Sequence, residues 1–526
     1  MSDPSREPVT DEATVPQEPA AGAVRLGTPV GRWVLMTAVL GSGMALLDST
    51  VVNVALPRIG EDLDADLPVL QWTVNGYMLT LASLILLGGA LGDRFGRRRV
   101  FVIGVVWFAL ASLLCGLAPD AGVLIAARAL QGIGGALLTP GSLALIQAVF
   151  HPDDRAGAVG AWSGLGGVAA AVGPFVGGYL VDGPGWRWVF LINLPLAAVC
   201  VPVALKHVPE TLPHSLNGMG GAPTPTAHGR FDVLGAALGA LALGAVTYAL
   251  IAAPDKGASP WVIGPAIAGV LLGVAFVHVE ARRPDPMLPL GIFSSRMFSA
   301  VNAVTVCVYA AFSGFFFLSV LQLQVVVGWS ALAAGTALLP TTVLMLLLSA
   351  RSGRIATRTG PRLPLTVGPL LCAAGMLLMT RAGPDAVYWR DVLPALVVLG
   401  LGMVVLVAPL TATVLASVDV ARAGLASGIN NAAARAAGLI AVAALPLLAG
   451  MGPDAYLDPA GFEGTFRRAM FWCAGTLVVG SGLAWWTVGA RALLVRRRCR
   501  PETAYHCGVS SPPLDPGDAA TASGGS

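Results

Sequence analysis

The sequence predicts an all-α polytopic membrane protein with fourteen transmembrane helices arranged as 6+2+6. Three observations lead there: the composition, the number of long apolar runs, and the placement of basic residues between them. Of 526 residues, 55% are hydrophobic and only 12% charged, and the mean hydropathy is +0.75. An ordinary soluble domain carries about 25% charged residues. A soluble fold of this length cannot enclose so much apolar surface, because surface area falls too slowly with size.

A bilayer core of about 30 Å takes roughly 20 apolar residues per helix. Runs that meet this requirement lie near 33–57, 69–91, 100–118, 122–146, 157–182 and 188–205, then 232–252 and 261–280, then 297–321, 331–350, 363–381, 391–415, 428–450 and 469–490. Residues 1–31 precede them. They are acidic and rich in Pro and Ala, lack the basic region and short apolar core of a cleavable signal, and read as a disordered tail. Residues 32–205 hold the first six-helix bundle. The stretch 206–231, "KHVPETLPHSLNGMGGAPTPTAHGRF", reads as a flexible Gly/Pro-rich linker. Residues 232–280 carry two inserted spans, and 281–490 a second six-helix bundle. The tail 491–526 opens with "RRRCR" (496–500), which suits anchoring against anionic lipid rather than nucleic-acid binding.

Orientation follows from the basic residues of the short loops. With the N-terminus inside, internal segments hold 23 of the 32 Arg and Lys, external segments seven, and Arg128 and Arg435 fall within spans. Both termini are therefore expected in the cytoplasm, with the chain in the plasma membrane.

An internal repeat supports two parallel halves. "GALGDRFGRRR" (89–99) matches "GRIATRTGPRL" (353–363) at an offset of 264 residues, and "DRAGAVG" (154–160) matches "ARAGLASG" (421–428) near 267. Each pair follows the second or fourth span of a six-span block. Two repeated bundles around a midplane site are a transporter architecture.

Several stretches then resemble known signatures. "GALGDRFGRR", with Gly89, Asp93, Arg94, Gly96, Arg97 and Arg98, resembles the loop motif of the major facilitator superfamily. That resemblance implies a latch between the halves, and a plain charge determinant of topology is the simpler alternative. "RALQGIGGALLTP" (128–140) resembles the superfamily's intramembrane-arginine motif. "GAWSGLGGVAAAVGPFVGGYL" (160–180) resembles the antiporter signature through Gly173, Pro174, Gly177 and Gly178, with Ala169 where a glycine is usual. Glycines let helices approach and a proline kinks them, so this stretch reads as a hinge. Together with "LLDSTVVNVALPRIG" (46–60), "QWTVNGYML" (71–79), "GWRWVFLINLP" (185–195) and "RRPDPMLPLGIF" (282–293), the chain over roughly 33–490 is similar to the fourteen-span drug:proton antiporters, the QacA/EmrB-type multidrug exporters. The resemblance implies the major facilitator fold, alternating access and proton-driven export of small hydrophobic or cationic drugs; a facilitator or importer of a small metabolite on the same fold is the alternative.

Within that frame Asp48 stands out as an acid inside an apolar span. An Asp at a helix centre costs about 2.5–3.5 kcal/mol, a large fraction of a net stability of about 5–15 kcal/mol. Counting from the expected span ends, Asp48 lies roughly 13 Å and Arg128 roughly 10 Å below the outer surface. The two are thus expected at similar depth. One reading has Asp48 facing the central cavity and exchanging a proton there, since desolvation and a nearby cation pull a carboxyl in opposite directions. The other is a fixed Asp–Arg structural pair. The family resemblance favours a role in proton or substrate recognition for Asp48 and in the proton step for Arg128.

Asn53, Asn75, Gln131 and Gln322 are candidate cavity residues, as are Asn302 and Gln324, and each equally suits a bond between helices; Arg435 is a further candidate, for substrate or anion recognition, with snorkelling towards the cytoplasm as the equal alternative. Arg435 follows Asn431 by four residues, so the two share one face. The seven cysteines show no CxxC spacing and the six histidines are dispersed, so neither a disulfide framework nor a metal site is expected. No nucleophile or paired carboxylates cluster at an interface, as a membrane enzyme would need. The expected partners are a small-molecule substrate, protons and the lipid bilayer, with no nucleic acid. No cofactor is expected beyond the proton gradient, and the working unit is expected to be a monomer.

Overall fold

The computed structural model describes residues 24–210, 232–284, 286–419, 422–455 and 458–488. Most of the N-terminal tail, the linker over 211–231 and the basic run 496–500 lie outside the described residues. Among those described, fourteen helices are long and apolar enough to cross a membrane. The first six are α1 (Pro29–Asp62), α2 (Leu67–Phe95), α3 (Arg97–Gly116), α4 (Ala121–Val149), α5 (Pro152–Asp182) and α6 (Trp188–His207). The inserted pair is α7 (Val233–Lys256) and α8 (Pro260–Arg282). The last six are α9 (Arg296–Leu321), α10 (Ala331–Ala337 and Leu339–Thr359), α11 (Arg362–Met379), α12 (Leu393–Ala416), α13 (Ala423–Ala449) and α14 (Pro459–Thr487).

Local chemistry sets many of these boundaries. The Thr28, Asp66, Asp120, Asp232, Ser295 and Ser330 side chains accept bonds from backbone N–H groups of the first turns of α1, α2, α4, α7, α9 and α10, satisfying donors a helix start leaves orphaned. Pro29, Pro68 and Pro260 stand in first turns, where a missing N–H costs nothing. α10 is interrupted at Leu338, just before Pro340, which has no N–H to continue the ladder. The apolar run alone does not reveal that break.

The repeat holds in three dimensions. A shift of 264 residues carries Leu67 onto Ala331 and Phe95 onto Thr359, so α2 superimposes in sequence on α10 at both ends. Each ends at a glycine of positive φ, Gly96 at 101° and Gly360 at 79°. Packing partners repeat as well: α1 against α5 mirrors α9 against α13, and α3 against α4 mirrors α11 against α12.

The two ends of the molecule differ. One carries the arginine-rich turns around 94–99 and 351–362, the other the turns around 63–66 and 183–187. At the arginine-poor end a single apolar core runs across both halves, joining Val51, Ile59, Leu67 and Leu70 to Phe315, Leu321 and Ala334. Towards the arginine-rich end the first half keeps its own core around Phe101, Phe108, Leu145 and Phe150. Bonds between the halves follow the same pattern. Leu67 donates its N–H to the Pro453 carbonyl at 3.0 Å, and Gln324 donates its amide to the Val54 carbonyl at 3.0 Å. The Asp182 carboxylate accepts from the Leu332 N–H at 2.8 Å. The halves are therefore closed at the arginine-poor end.

The inserted helices pair with each other, and α7 lies along both α2 and α13, across the seam between the halves. At their base Arg283 donates to Asp232 at 2.6 Å, and Leu288 N–H donates to the buried Glu280 at 3.0 Å. α8 turns Trp261, Ile267, Val270, Leu271 and Val274 outward, as a helix bathed in lipid does.

Candidate functional site

Asp48 and Arg128 meet in the interior of the first half. The guanidinium Nη1 donates to Asp48 Oδ2 at 2.6 Å, and both side chains are almost wholly buried. Gln131, one turn after Arg128 on the same helix face, donates its amide to Asp48 Oδ1 at 2.8 Å. Asn193 of α6 reaches the same oxygen at 3.3 Å. Ser112 of α3 accepts from Gln131 at 2.8 Å and from Asn193 at 3.3 Å. Arg128 also donates through Nη1 to Gln131 Oε1 and through Nε to the Thr73 carbonyl of α2 at 3.1 Å. Its guanidinium carbon sits 4.4 Å from the centre of the Tyr77 ring and 5.7 Å from that of Phe190. One carboxylate thus gathers α1, α4 and α6 directly, α3 through Gln131 and Asn193, and α2 through Arg128.

A buried ion pair of this kind is not a cheap source of stability, because desolvating both charges offsets most of their attraction. Its hydrogen-bond complement decides the outcome, and here each oxygen of Asp48 has a donor. In this conformation the carboxylate is enclosed among helices rather than turned to an open cavity. Ser112, Asn193, Thr73 and Tyr77 belong to the site although the sequence does not mark them. Asn193 is the amide inside "FLINLP" and Tyr77 the phenol inside "VNGYML", each the kind of isolated polar group that apolar helices also carry for packing.

The other candidate residues separate. Gln322 is fully buried and donates to the Ala382 carbonyl at 2.6 Å, which places it inside the second half rather than at the cavity. Asn53 is half-buried and bonds weakly back to Ser49 at 3.4 Å. Asn75 is fully buried and neither amide atom has a partner. Asn302 accepts from Asn430 at 3.1 Å within the second half.

In the arginine-rich loop, Asp93 pairs with Arg97 at 2.9 Å, and Arg97 also donates to the Ala144 carbonyl at 3.1 Å. Arg98 donates to the Val208 carbonyl at 2.9 Å and faces Glu210 at 3.4 Å. These bonds tie the loop to α4 and to the end of α6, within one half. Arg94 lies 5.8 Å from the ring centre of Phe95, and Gly89 faces Pro140 of α4.

The Gly-Pro stretch of α5 does more than flex. A Cβ on Gly173 would lie 2.0 Å from Thr50 Oγ1, and one on Gly177 3.1 Å from Val51, so both glycines admit α1. A Cβ on Gly178 would lie 2.4 Å from the Leu332 Cα of α10, and one on Gly335 2.1 Å from the Pro174 carbonyl. The motif is where α5 and α10 touch backbone to backbone across the two halves. Nearer the arginine-rich end, Gly160, Gly164 and Gly167 face open space.

The Major Facilitator Superfamily profile matches residues 38–442. The puromycin resistance protein of Streptomyces alboniger is 36% identical over 496 residues, covering 91% of this chain and 95% of that protein. The tetracenomycin C resistance and export protein of Streptomyces glaucescens is 35% identical over 418 residues, 79% and 75% of the two chains. The probable actinorhodin transporter of Streptomyces coelicolor is 34% identical over 462 residues, 85% and 78%. Among solved structures, the peptide transporter POT in complex with sulfate aligns at a TM-score of 0.62 and 15% identity, over 90% of this chain and 99% of that one. A bacterial homologue of the human lysosomal transporter Spinster, inward-facing and unoccupied, aligns at 0.59 and 16%, with the same coverage. At these identities the structural likeness is one of fold.

Proposed function

The chain belongs to the Major Facilitator Superfamily, and from that premise we propose that it exports small, mostly hydrophobic drugs or antibiotics in exchange for protons. Its fourteen apolar helices make it a multi-pass membrane protein, and the three relatives named above are called resistance, export or transport proteins. The arginine-rich end is the cytoplasmic one by the bias of basic loops, which sets both termini inside and the chain in the plasma membrane. The conformation described, closed at the arginine-poor end, is then inward-facing. The chain works as a monomer, is a transporter rather than an enzyme, and needs no cofactor besides the proton gradient.

The observation that carries this reading is the Asp48–Arg128 pair, buried at the junction of five helices. When Asp48 is ionised it holds Arg128 and Gln131. A proton on Asp48 removes the charge that Arg128 answers, and the guanidinium is left to the Thr73 carbonyl, the Gln131 amide oxygen and the Tyr77 ring. Helices α1 and α4 are then free to shift relative to each other. Proton binding from outside and release to the cytoplasm would bias the halves between their two closures, and the α5–α10 glycine contact is the outer of these.

Everted membrane vesicles energised to an acid interior test it. Added substrate should release protons, and Asp48→Asn vesicles with equal protein should release none. Release that persists in Asp48→Asn would leave export standing and reduce Asp48 to a structural acid. Release by no compound at all would count against antiport itself.

A further inference from the structure

Arg435 occupies the middle of α13, 12 residues from Ala423 and 14 from Ala449, so about 18 Å and 21 Å from the helix ends at 1.5 Å per residue. Neither membrane surface is within reach of its side chain, and snorkelling does not explain it. The face it occupies is fixed by its neighbours. Gly428, seven residues before, packs on Leu86 of α2, while Gly438, three residues after, packs on Ser313 of α9 and Met78 of α2. Arg435 therefore projects between the two halves. It is half-buried there, and the exposed Asn431 lies one turn nearer the arginine-rich end. Tyr77 of α2 and Tyr309 of α9 stand within its electrostatic reach.

No acid answers it. Along all fourteen helices, Asp48 is the only carboxylate away from a helix end, and it is taken by Arg128. None of the ion pairs among the described residues includes Arg435. Among the described residues the membrane interior thus holds one balanced pair and one unanswered cation. An intramembrane arginine costs several kcal/mol unless it meets a partner or water.

We propose that Arg435 is the counter-charge for substrate, and that the cavity takes amphipathic compounds bearing an acidic group, a carboxylate or phenolate, in preference to cations. This rests on the export reading and narrows its substrate class. Asn431 supplies a neutral donor on the same face, and Tyr309 an aromatic wall.

The test is binding of three probes with one ring system, 2-naphthoate, 2-naphthamide and 2-naphthylmethylammonium, to the full chain in nanodiscs by equilibrium dialysis, with empty nanodiscs as blank. Wild type should bind the carboxylate tighter than the amide by about tenfold to a hundredfold, the worth of one charge-assisted hydrogen bond, and the ammonium most weakly. Arg435→Gln should bring the carboxylate-to-amide ratio to about one, and Arg435→Lys should keep most of it. A wild-type ratio near one, including no measurable carboxylate binding, overturns the proposal, as does a ratio that Arg435→Gln leaves in place. Equal loss of all three probes in both variants, with a lowered melting temperature, overturns it in favour of a structural arginine. The export reading fails separately: selective carboxylate binding without proton release in vesicles would keep the site and remove the antiport.

Discussion

At the scale of the residue, the first half is organised by one acid. Replacing Asp48 by Asn leaves Arg128 buried without its charge partner. Replacing Arg128 by Gln strands the carboxylate in the same way. Each single change should lower stability by about 3–5 kcal/mol, the cost of breaking a buried pair, and the double change should cost less than the sum. Denaturation of the purified variants in detergent measures this, and additive losses would show that the two side chains do not depend on each other. Asp48 and Arg128 are legible in the sequence because a charge inside an apolar run is costly and asks for a reason. Ser112, Asn193 and Tyr77 are not, because a hydroxyl or amide in such a run can satisfy itself on its own helix. Gln322 shows the opposite failure: a polar side chain marked as a cavity residue turns out to hold the Ala382 carbonyl.

At the scale of the element, helix ends and close approaches are set by glycine. Gly96 adopts a φ of 101°, and a Cβ there would also meet the Glu210 carboxylate at 2.5 Å. Gly96→Ala should cost about 1–2 kcal/mol from the left-handed backbone alone, seen as a lower melting temperature, whereas Gly92→Ala, with nothing within 4 Å, should melt close to wild type. The α5–α10 crossing gives a functional contrast. Gly178→Ala puts a methyl against the Leu332 Cα and should hold the arginine-poor end apart, so drug-dependent proton release should fall severalfold. Gly164→Ala faces open space and should release protons as wild type does. Equal effects of the two would mean that the crossing does not govern closure. The antiporter-like spacing of Gly173, Pro174, Gly177 and Gly178 is plain in the sequence. That Gly178 serves a contact with the other half, while Gly173 and Gly177 serve α1, depends on a partner more than 150 residues away, which no local pattern encodes.

At the scale of the molecule, the 6+2+6 order and the parallel repeat are legible because apolar length and basic loops report topology directly. The closure is not, because the same fourteen helices pack in either of two ways and the sequence must serve both. The base of the inserted hairpin offers a check on how firmly that unit is attached. Arg283 is the cation beside Asp232 and Glu280, both carboxylates being nearly fully buried. Arg283→Ala should loosen the α7–α8 base, read as faster amide exchange over 233–282 than over α3. Unchanged exchange would show that apolar packing alone holds the hairpin.

That hairpin has a consequence for traffic. A cleft between two bundles has two flanks, and a lipid-dissolved molecule approaches it sideways through the leaflet. With α7 laid across α2 and α13, one flank is boarded over. Among the described residues the flank between α5 and α10 carries no such cover, and near its arginine-rich end α5 shows the bare glycines 160, 164 and 167. The protein is therefore handed: the inserted hairpin walls one flank of the cleft and leaves the other bare.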